Sequence, residues 1–248
     1  KGDAKHYGYL TIEAVNRPEV SNPSRSRVFG MAVTASDNRD RGRPSAWSAA
    51  VDRLASDVEG EGLTPRLLIL SAGNTRGINT WADYPSSNST DLIHDPAQSW
   101  NALTIGAYTN LVRITESDAG SYQPIAPAGG LSPFSTTSSA WQPNWPLKPD
   151  VVFEGGNAAK DSISPSTLPS LSLLTTHYKP GERLFTTFNA TSAATALAAR
   201  MAAQLMAEYP NLWPETIRGL IVHSAEWTEA MRQTFLQRTT PSKSEYVQ

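Results

Sequence analysis

The stretch RLLILSAGNTRG, residues 66 to 77, decides how the rest of the chain is read. Residues 67 to 70 are apolar without interruption, and a continuous run of Leu and Ile fits a strand buried on both faces, as in a parallel sheet. The run stops at Ser-Ala-Gly-Asn, which puts Asn74 at the carboxyl end of the strand, where open α/β sheets hold their ligands. On its own, Asn74 beside Gly73 is an ordinary turn residue. Three more apolar runs repeat the strand pattern: RVFGMAV (27–33), ALTIGAY (102–108) and DVVFEG (150–155). Between the first two strands, RPSAWSAAVDRLASD (43–57) sets Trp47, Ala50, Val51 and Leu54 at helical spacing, with Pro44 near its start. A further helix is expected over part of PAQSWNAL (96–103). Strands alternate with helices, so the fold class is α/β, a doubly wound and mostly parallel sheet.

Downstream, Pro, Gly, Ser and Thr dominate residues 117–149 and again 157–170, and both stretches read as loops. LSLLTTHY (171–178) and RLFTTFN (183–189) read as a late hairpin that feeds NATSAATALAARMAAQLMAEYP (189–210). Nothing between Ala193 and Tyr209 breaks a helix, so one of about 25 Å is expected there. It is apolar nearly all round, which predicts burial, and its alanines let neighbouring backbones approach closely. The hydroxyl pair Thr191-Ser192 at its start reads first as an N-cap. WPETIRGLIVHSAEW (213–227) adds a helix with Pro214 at N1 and Ile217, Leu220 and Ile221 on one face.

The 248 residues suffice for one large domain, and a formal net charge of −2 gives no global field for nucleic acid or a membrane surface. No apolar run approaches transmembrane length. Cysteine is absent, so neither a disulfide framework nor a thiolate site is available, and the composition fits a reducing compartment. No G-x-G-x-x-G, phosphate-loop Lys or G-x-S-x-G elbow occurs, which removes support for nucleotide binding and for an α/β-hydrolase. The chain opens on KGDAKHYGYL without a Met and closes on QRTTPSKSEYVQ, so a fragment of a longer protein is expected.

Three short stretches in fixed order carry a resemblance: SAGN (71–74), KPDVV (148–152) and NATSAATALAA (189–199), with FSTTSS (134–139) before the second. Together they resemble the subtilisin-like serine proteases, the subtilases, over roughly residues 27 to 225. The resemblance implies Ser192 as the catalytic nucleophile and Asn74 as the oxyanion donor. The physics of a helix start agrees, since the first-turn N–H groups have no intrahelical partner and sit in positive potential. It also implies a peptide or protein substrate lying along MAVT (31–34), with Val33 and Thr34, and along Leu70 to Gly73. Ala72 and Gly73 are expected to leave room for a large apolar side chain, whose third wall the sequence does not identify. Calcium is implied by the family alone, no dense Asp/Asn loop supports it, and no cofactor or metal site is expected.

Several positions depart from the family pattern. Ala190 stands where Gly is usual, Ala196 replaces a Pro, and FEGG follows KPDVV in place of Ala-Pro-Gly. The larger departure is the absence of the family's Asp and His segments ahead of the Asn. His6 is the only upstream histidine, and residues 7 to 26, 20 in all, separate it from Arg27. The family's helix, strand and helix with loops need roughly 30 or more, so His6 is not expected to be the base. His94, His177 and His223 lack the motif and read as ordinary surface or core histidines, and Asp118 falls in the wrong order. Serine without a base is a poor nucleophile. Two readings stay open: a catalytically incomplete fragment of a serine endopeptidase, or a non-catalytic subtilase-like binding or scaffold domain. Residues 1–227 are expected to form the partial catalytic domain and 228–248 a helix end and polar tail. Loss of upstream strands would expose a sheet edge, through which either self-association or non-covalent retention of the missing N-terminal piece is expected.

Overall fold

A computed structural model describes residues 6–35, 42–60 and 64–236, and most of the polar tail lies outside them. In chain order the elements are α1 (Tyr7–Ser21), β1 (Phe29–Met31), α2 (Ala46–Ser56), β2 (Leu68–Ser71), α3 (Ile78–Trp81), α4 (Ser86–Thr90), β3 (Leu103–Thr109), β4 (Gln123–Pro124) and β5 (Gly130–Leu131). There follow β6 (Val151–Glu154), β7 (Ala158–Lys160), β8 (Pro165–Thr167), β9 (Leu173–Thr176), β10 (Phe185–Phe188), α5 (Ala190–Glu208), α6 (Pro214–His223) and α7 (Glu229–Phe235).

Each of the four apolar runs forms a strand of one sheet. β1, β2, β3 and β6 lie side by side and parallel, with Met31 opposite Leu70, Ser71 opposite Ile105, and Ile105 opposite Val151. Only β5 runs against them, on the far end of β3. Alternate side chains of β2 explain why the run had to be apolar throughout. Leu68 and Leu70 join Val51, Leu54 and Trp47 beneath α1 and α2, while Leu67 and Ile69 join Ala194, Ala198 and Ala202 of α5 and Ile217 and Ile221 of α6. Helices therefore cover both sides of a mostly parallel sheet, the doubly wound arrangement the pattern predicted.

α2 starts after a capping box, in which Ser45 Oγ accepts the Ser48 N–H at 2.9 Å and Ser48 Oγ accepts the Ser45 N–H at 2.8 Å. α5 crosses the sheet closely because small residues meet there: a Cβ on Gly30 would lie 3.2 Å from the Ala199 methyl. Only one stripe of α5 is buried, however. Ala196, Arg200, Ala203 and Gln204 face solvent, so the all-round burial expected from its composition is corrected. Alanine content reports helix propensity and close approach, and it does not by itself exclude water. In α6, Ile217 and Ile221 are buried but Leu220 is exposed.

No helix forms over residues 96–103. Ala97 N–H bonds back to His94, Ser99 N–H bonds back to Pro96, and Thr104 Oγ1 donates to the Ala97 carbonyl at 2.7 Å. The segment is a pair of tight turns held by side chains, too short to repay helix nucleation. α1 was not evident in sequence, and neither was the small antiparallel sheet of β4, β7 and β8. A half-buried ion network ties α1 to the rest: Arg66 forms two bonds of 2.8 Å with the Glu19 carboxylate and a third, of 3.0 Å, with Asp57 Oδ1. α7 returns to the sheet, where Thr228 Oγ1 donates to the Gly129 carbonyl and Met231 is buried.

Candidate active site

At the carboxyl ends of the strands the chain from β2 turns at Gly73, with φ of +96°, and delivers Asn74 to the start of α5. Asn74 Oδ1 accepts the Thr191 backbone N–H at 3.1 Å and the Thr191 hydroxyl at 2.6 Å. A backbone N–H can only donate, so these two bonds fix which end of the amide is oxygen. The amide NH2 is thereby turned away from Thr191, and no protein acceptor takes it among the described residues. Thr191, fully buried, also contacts the Gly73 carbonyl through Oγ1 at 3.1 Å, and its own carbonyl accepts the Thr195 hydroxyl at 2.7 Å.

Ser192 follows immediately in the first turn of α5, half-buried, and its N–H lies beyond the reach of any i−4 carbonyl of the helix. The cap read at the Thr-Ser pair is instead Asn189, whose side chain makes no capping bond. The hydroxyls of the pair are thus free for other work: that of Thr191 holds Asn74, and that of Ser192 has no protein partner among the described residues. Ala190 enters the helix at φ +67°, the left-handed region, which costs a non-glycine residue about 1–2 kcal/mol. Its N–H donates to the Gly155 carbonyl at 2.6 Å. Gly155 has no room for a side chain, since a Cβ would lie 2.4 Å from the Ala107 methyl and 3.0 Å from the Ala190 carbonyl oxygen.

The two expected substrate strips run side by side only as far as Met31 and Leu70. Val33 is 59% exposed just past β1, whereas Ala72 and Gly73 are buried. Buried hydroxyls hold the second strip rigid, Thr136 Oγ1 reaching both the Ala72 and the Gly73 carbonyls at 3.0 and 3.1 Å. The open space expected beside Gly73 is filled. The His94 ring covers it so closely that a Cβ on Gly73 would sit 2.3 Å from Cγ. His94 Nδ1 is 3.1 Å from Thr34 Oγ1, and the His94 N–H donates to the Ala72 carbonyl at 2.9 Å.

None of the four histidines is hydrogen-bonded to Ser192 among the described residues. His6 is exposed at the start of α1, His177 lies half-buried after β9, His223 ends α6, and Asp118 is exposed ahead of a 3-10 turn. Only α1 separates His6 from β1. No group of three or more His, Asp or Glu side chains converges as a metal site among the described residues, and none of the helices described is long and apolar enough to cross a membrane. Below the site the KPD turn carries a buried cation: Lys148 Nζ donates to Asp150 Oδ2 at 2.8 Å and to the Ala102 carbonyl at 3.2 Å. Burial pushes the Lys148 ammonium below its ordinary value, against the opposing pull of Asp150. Sequence reasoning missed Thr191 and His94 as parts of this region. The Asn-Ala-Thr-Ser run showed two hydroxyls, but the partner of the first lies 117 residues away.

Comparison with known proteins gives a consistent answer. The Subtilase family model matches residues 1–244. An uncharacterized protein, y4bN, of Sinorhizobium fredii (strain NBRC 101917 / NGR234) is 28% identical over 203 residues, which are 75% of this chain and 45% of that protein. Among solved structures, sphericase superposes with a TM-score of 0.51 at 16% identity, over 90% of this chain and 56% of its own. A second, described as S41 psychrophilic protease, gives 0.49 at 17% identity with the same coverage, 90% and 56%. The structural likeness shows the fold. The chain spans about half the length of the relatives it matches.

Proposed function

Because the chain belongs to the subtilase family of serine peptidases, we propose that it is the nucleophile and oxyanion half of a serine endopeptidase. Ser192 Oγ attacks the scissile carbonyl carbon, and the resulting oxyanion accepts hydrogen bonds from Asn74 Nδ2 and the Ser192 N–H. The charge on that oxygen exists only after attack, so donors fixed beforehand lower the barrier without tightening ground-state binding. The observation that supports the reading is the pair of Thr191 bonds to Asn74 Oδ1, which turns the amide NH2 away from Thr191, the residue that precedes Ser192 in the chain.

The proton of Ser192 needs an acceptor, and none of the four histidines is hydrogen-bonded to it among the described residues. In the same proposal, the general-base His and the Asp that orients it come from a segment outside these 248 residues. Two observations support it: the chain spans about half of its relatives, and β1 lies at the edge of the sheet with β2 as its only strand partner among the described residues. An edge strand presents unpaired N–H and C=O groups, so that edge takes either the missing segment or a second copy. Light-scattering mass separates those two occupants.

The test is covalent labelling. A fluorophosphonate probe should react at Ser192 in the intact protein, fail with Ser192→Ala, and fail with residues 1–248 alone. Absence of labelling in the intact protein would instead support a non-catalytic subtilase-like domain. Labelling of the isolated chain would place the base among its own four histidines.

A further inference from the structure

β1 and β2 run in register as far as Met31 and Leu70 and then part. The gap between their ends is occupied by a two-residue wedge, His94-Asp95. One side of the wedge bonds to the β2 continuation, through the His94 N–H and the Ala72 carbonyl. Its other side bonds to the β1 continuation, through the Ala35 N–H and the Asp95 carbonyl at 2.8 Å, an antiparallel bridge. The His94 side chain then spans what remains, with Nδ1 against Thr34 and Cβ and Cγ close against Gly73. Asp95 is itself fixed, its Oδ1 accepting the Gln98 amide at 2.9 Å and the Ser45 hydroxyl at 2.5 Å. His94 is only 7% exposed, so its ring fills the gap and does not hang over it.

We infer that His94, held by Thr34, is a specificity-determining residue that shuts the side-chain pocket on the acyl side of the scissile bond. The inference rests on the protease reading given above. A peptide lying along Met31–Thr34 and Leu70–Gly73 with its carbonyl at Ser192 must direct the side chain of that same residue between Thr34 and Gly73. His94 and Thr34 already fill that space, and packed interiors do not yield room for another ring. The substrate class is therefore a peptide bond following Gly or Ala, with larger residues excluded by volume.

The experiment uses the intact protein and a peptide series that differs only in the residue before the cleaved bond: Gly, Ala, Leu, Phe, Lys and Glu. The wild type should cleave after Gly or Ala with kcat/KM at least about tenfold above the others, the scale that a misfit of one or two methylenes sets. His94→Gly should raise the Phe-to-Ala ratio by about tenfold or more, and its Ser192→Ala counterpart should be silent. Thr34→Val keeps the volume but releases the ring, and a partial shift toward Leu is expected from it should His94→Gly fail to fold. A wild type that prefers Phe, Leu, Lys or Glu overturns the inference and leaves the protease reading standing. No Ser192-dependent cleavage of any peptide, with no Ser192 labelling, overturns both.

Discussion

Replacing Thr191 by Val tests whether the threonine acts through Asn74. Val keeps the shape of a fully buried side chain and removes one hydroxyl, with its bonds of 2.6 Å to Asn74 Oδ1 and 3.1 Å to the Gly73 carbonyl. Neither acceptor is orphaned: Asn74 Oδ1 keeps the Thr191 N–H, and the Gly73 carbonyl keeps Thr136 Oγ1. The hydroxyl has one proton to share between them, so the stability cost is that of about one ordinary hydrogen bond, about 1 kcal/mol, without the penalty for a buried unpaired group. The amide loses one of its two anchors. Complete loss of such an Asn lowers turnover about 10²–10³-fold, a figure measured in the relative subtilisin and carried over here. Loosening one anchor by about 1.4 kcal/mol lowers kcat about tenfold with KM unchanged. Steady-state kinetics on the intact protein should be run for Thr191→Val, Asn74→Ala and the double variant. If the threonine works through the amide, its tenfold effect disappears in the Asn74→Ala background. An equal loss in both backgrounds, or a change confined to KM, would refute the reasoning.

Ala190→Gly should change unfolding free energy by less than about 1 kcal/mol, because relief at φ +67° is offset by the chain entropy of glycine and the loss of a partly buried methyl. A loss above about 2 kcal/mol in denaturant melts would show that the left-handed turn carries little strain. Asp57 is 4% exposed, and although burial opposes ionisation, the bonds from Thr64 and Arg66 outweigh it and hold the carboxyl below its ordinary 3.8. Its contribution is present above pH 3.8 and lost as pH falls through the lower folded-state value, so acid unfolding should shift in Asp57→Asn and not in an exposed-carboxylate control such as Glu59→Gln. For Lys148 the sign is opposite. The folded-state value lies below 10.5 and the unfolded chain binds more protons in that window, so the Lys148 contribution should rise with pH up to about 10.5, read as the difference in stability between wild type and Lys148→Met. At neutral pH that variant should lose about 2–3 kcal/mol, less than a fully buried broken pair, because Asp150 keeps the Thr104 N–H at 2.7 Å.

The sheet was legible because its strands are buried on both faces and so carry unbroken apolar runs, as Leu67 to Leu70 does. α2 and α6 were legible from periodicity, and the hairpin of β9 and β10 from β-branched and aromatic pairs. α1 was not. Its buried residues are only Thr11 and Val15, its large apolar residues Tyr9, Leu10 and Val20 face solvent, and Pro18 lies inside it. The small sheet of β4, β7 and β8 is built from Gln-Pro, Ala-Ala-Lys and Pro-Ser-Thr, of which only Thr167 favours strands, so tertiary contacts select it. At the site, Asn74 and Ser192 are singled out by the ordered motifs that resemble the subtilases, since each alone reads as a turn or cap residue. Thr191 and His94 are not, since each has its meaning from a partner distant in sequence: Asn74 for the one, Thr34 and Gly73 for the other. Local pattern fixes elements, while close approach between them is set by the packed whole.

That distinction also explains the departures at Ala190 and at Glu154-Gly155-Gly156, which are scattered in sequence and adjacent in space. Ala190 holds a left-handed turn that glycine would adopt without cost, and its N–H is anchored on the Gly155 carbonyl. Close approach of the two backbones needs one side without a Cβ, and Gly155 supplies it, wedged against the Ala107 methyl of β3. Gly156, at φ +83°, turns the chain away, and the Glu154 carboxylate closes that turn by accepting the Gly156 N–H at 2.8 Å and the Asn110 N–H at 2.6 Å. The strained residue thus sits between two over-determined supports, the Gly155 carbonyl before it and the Asn74 amide oxygen after it. Strain of about 1–2 kcal/mol persists only where neighbours leave no alternative, and here each neighbour is itself fixed by the sheet. What this arrangement holds rigid is the Thr191 and Ser192 backbone, the part of the chain that the proposed mechanism requires in place when an oxyanion forms.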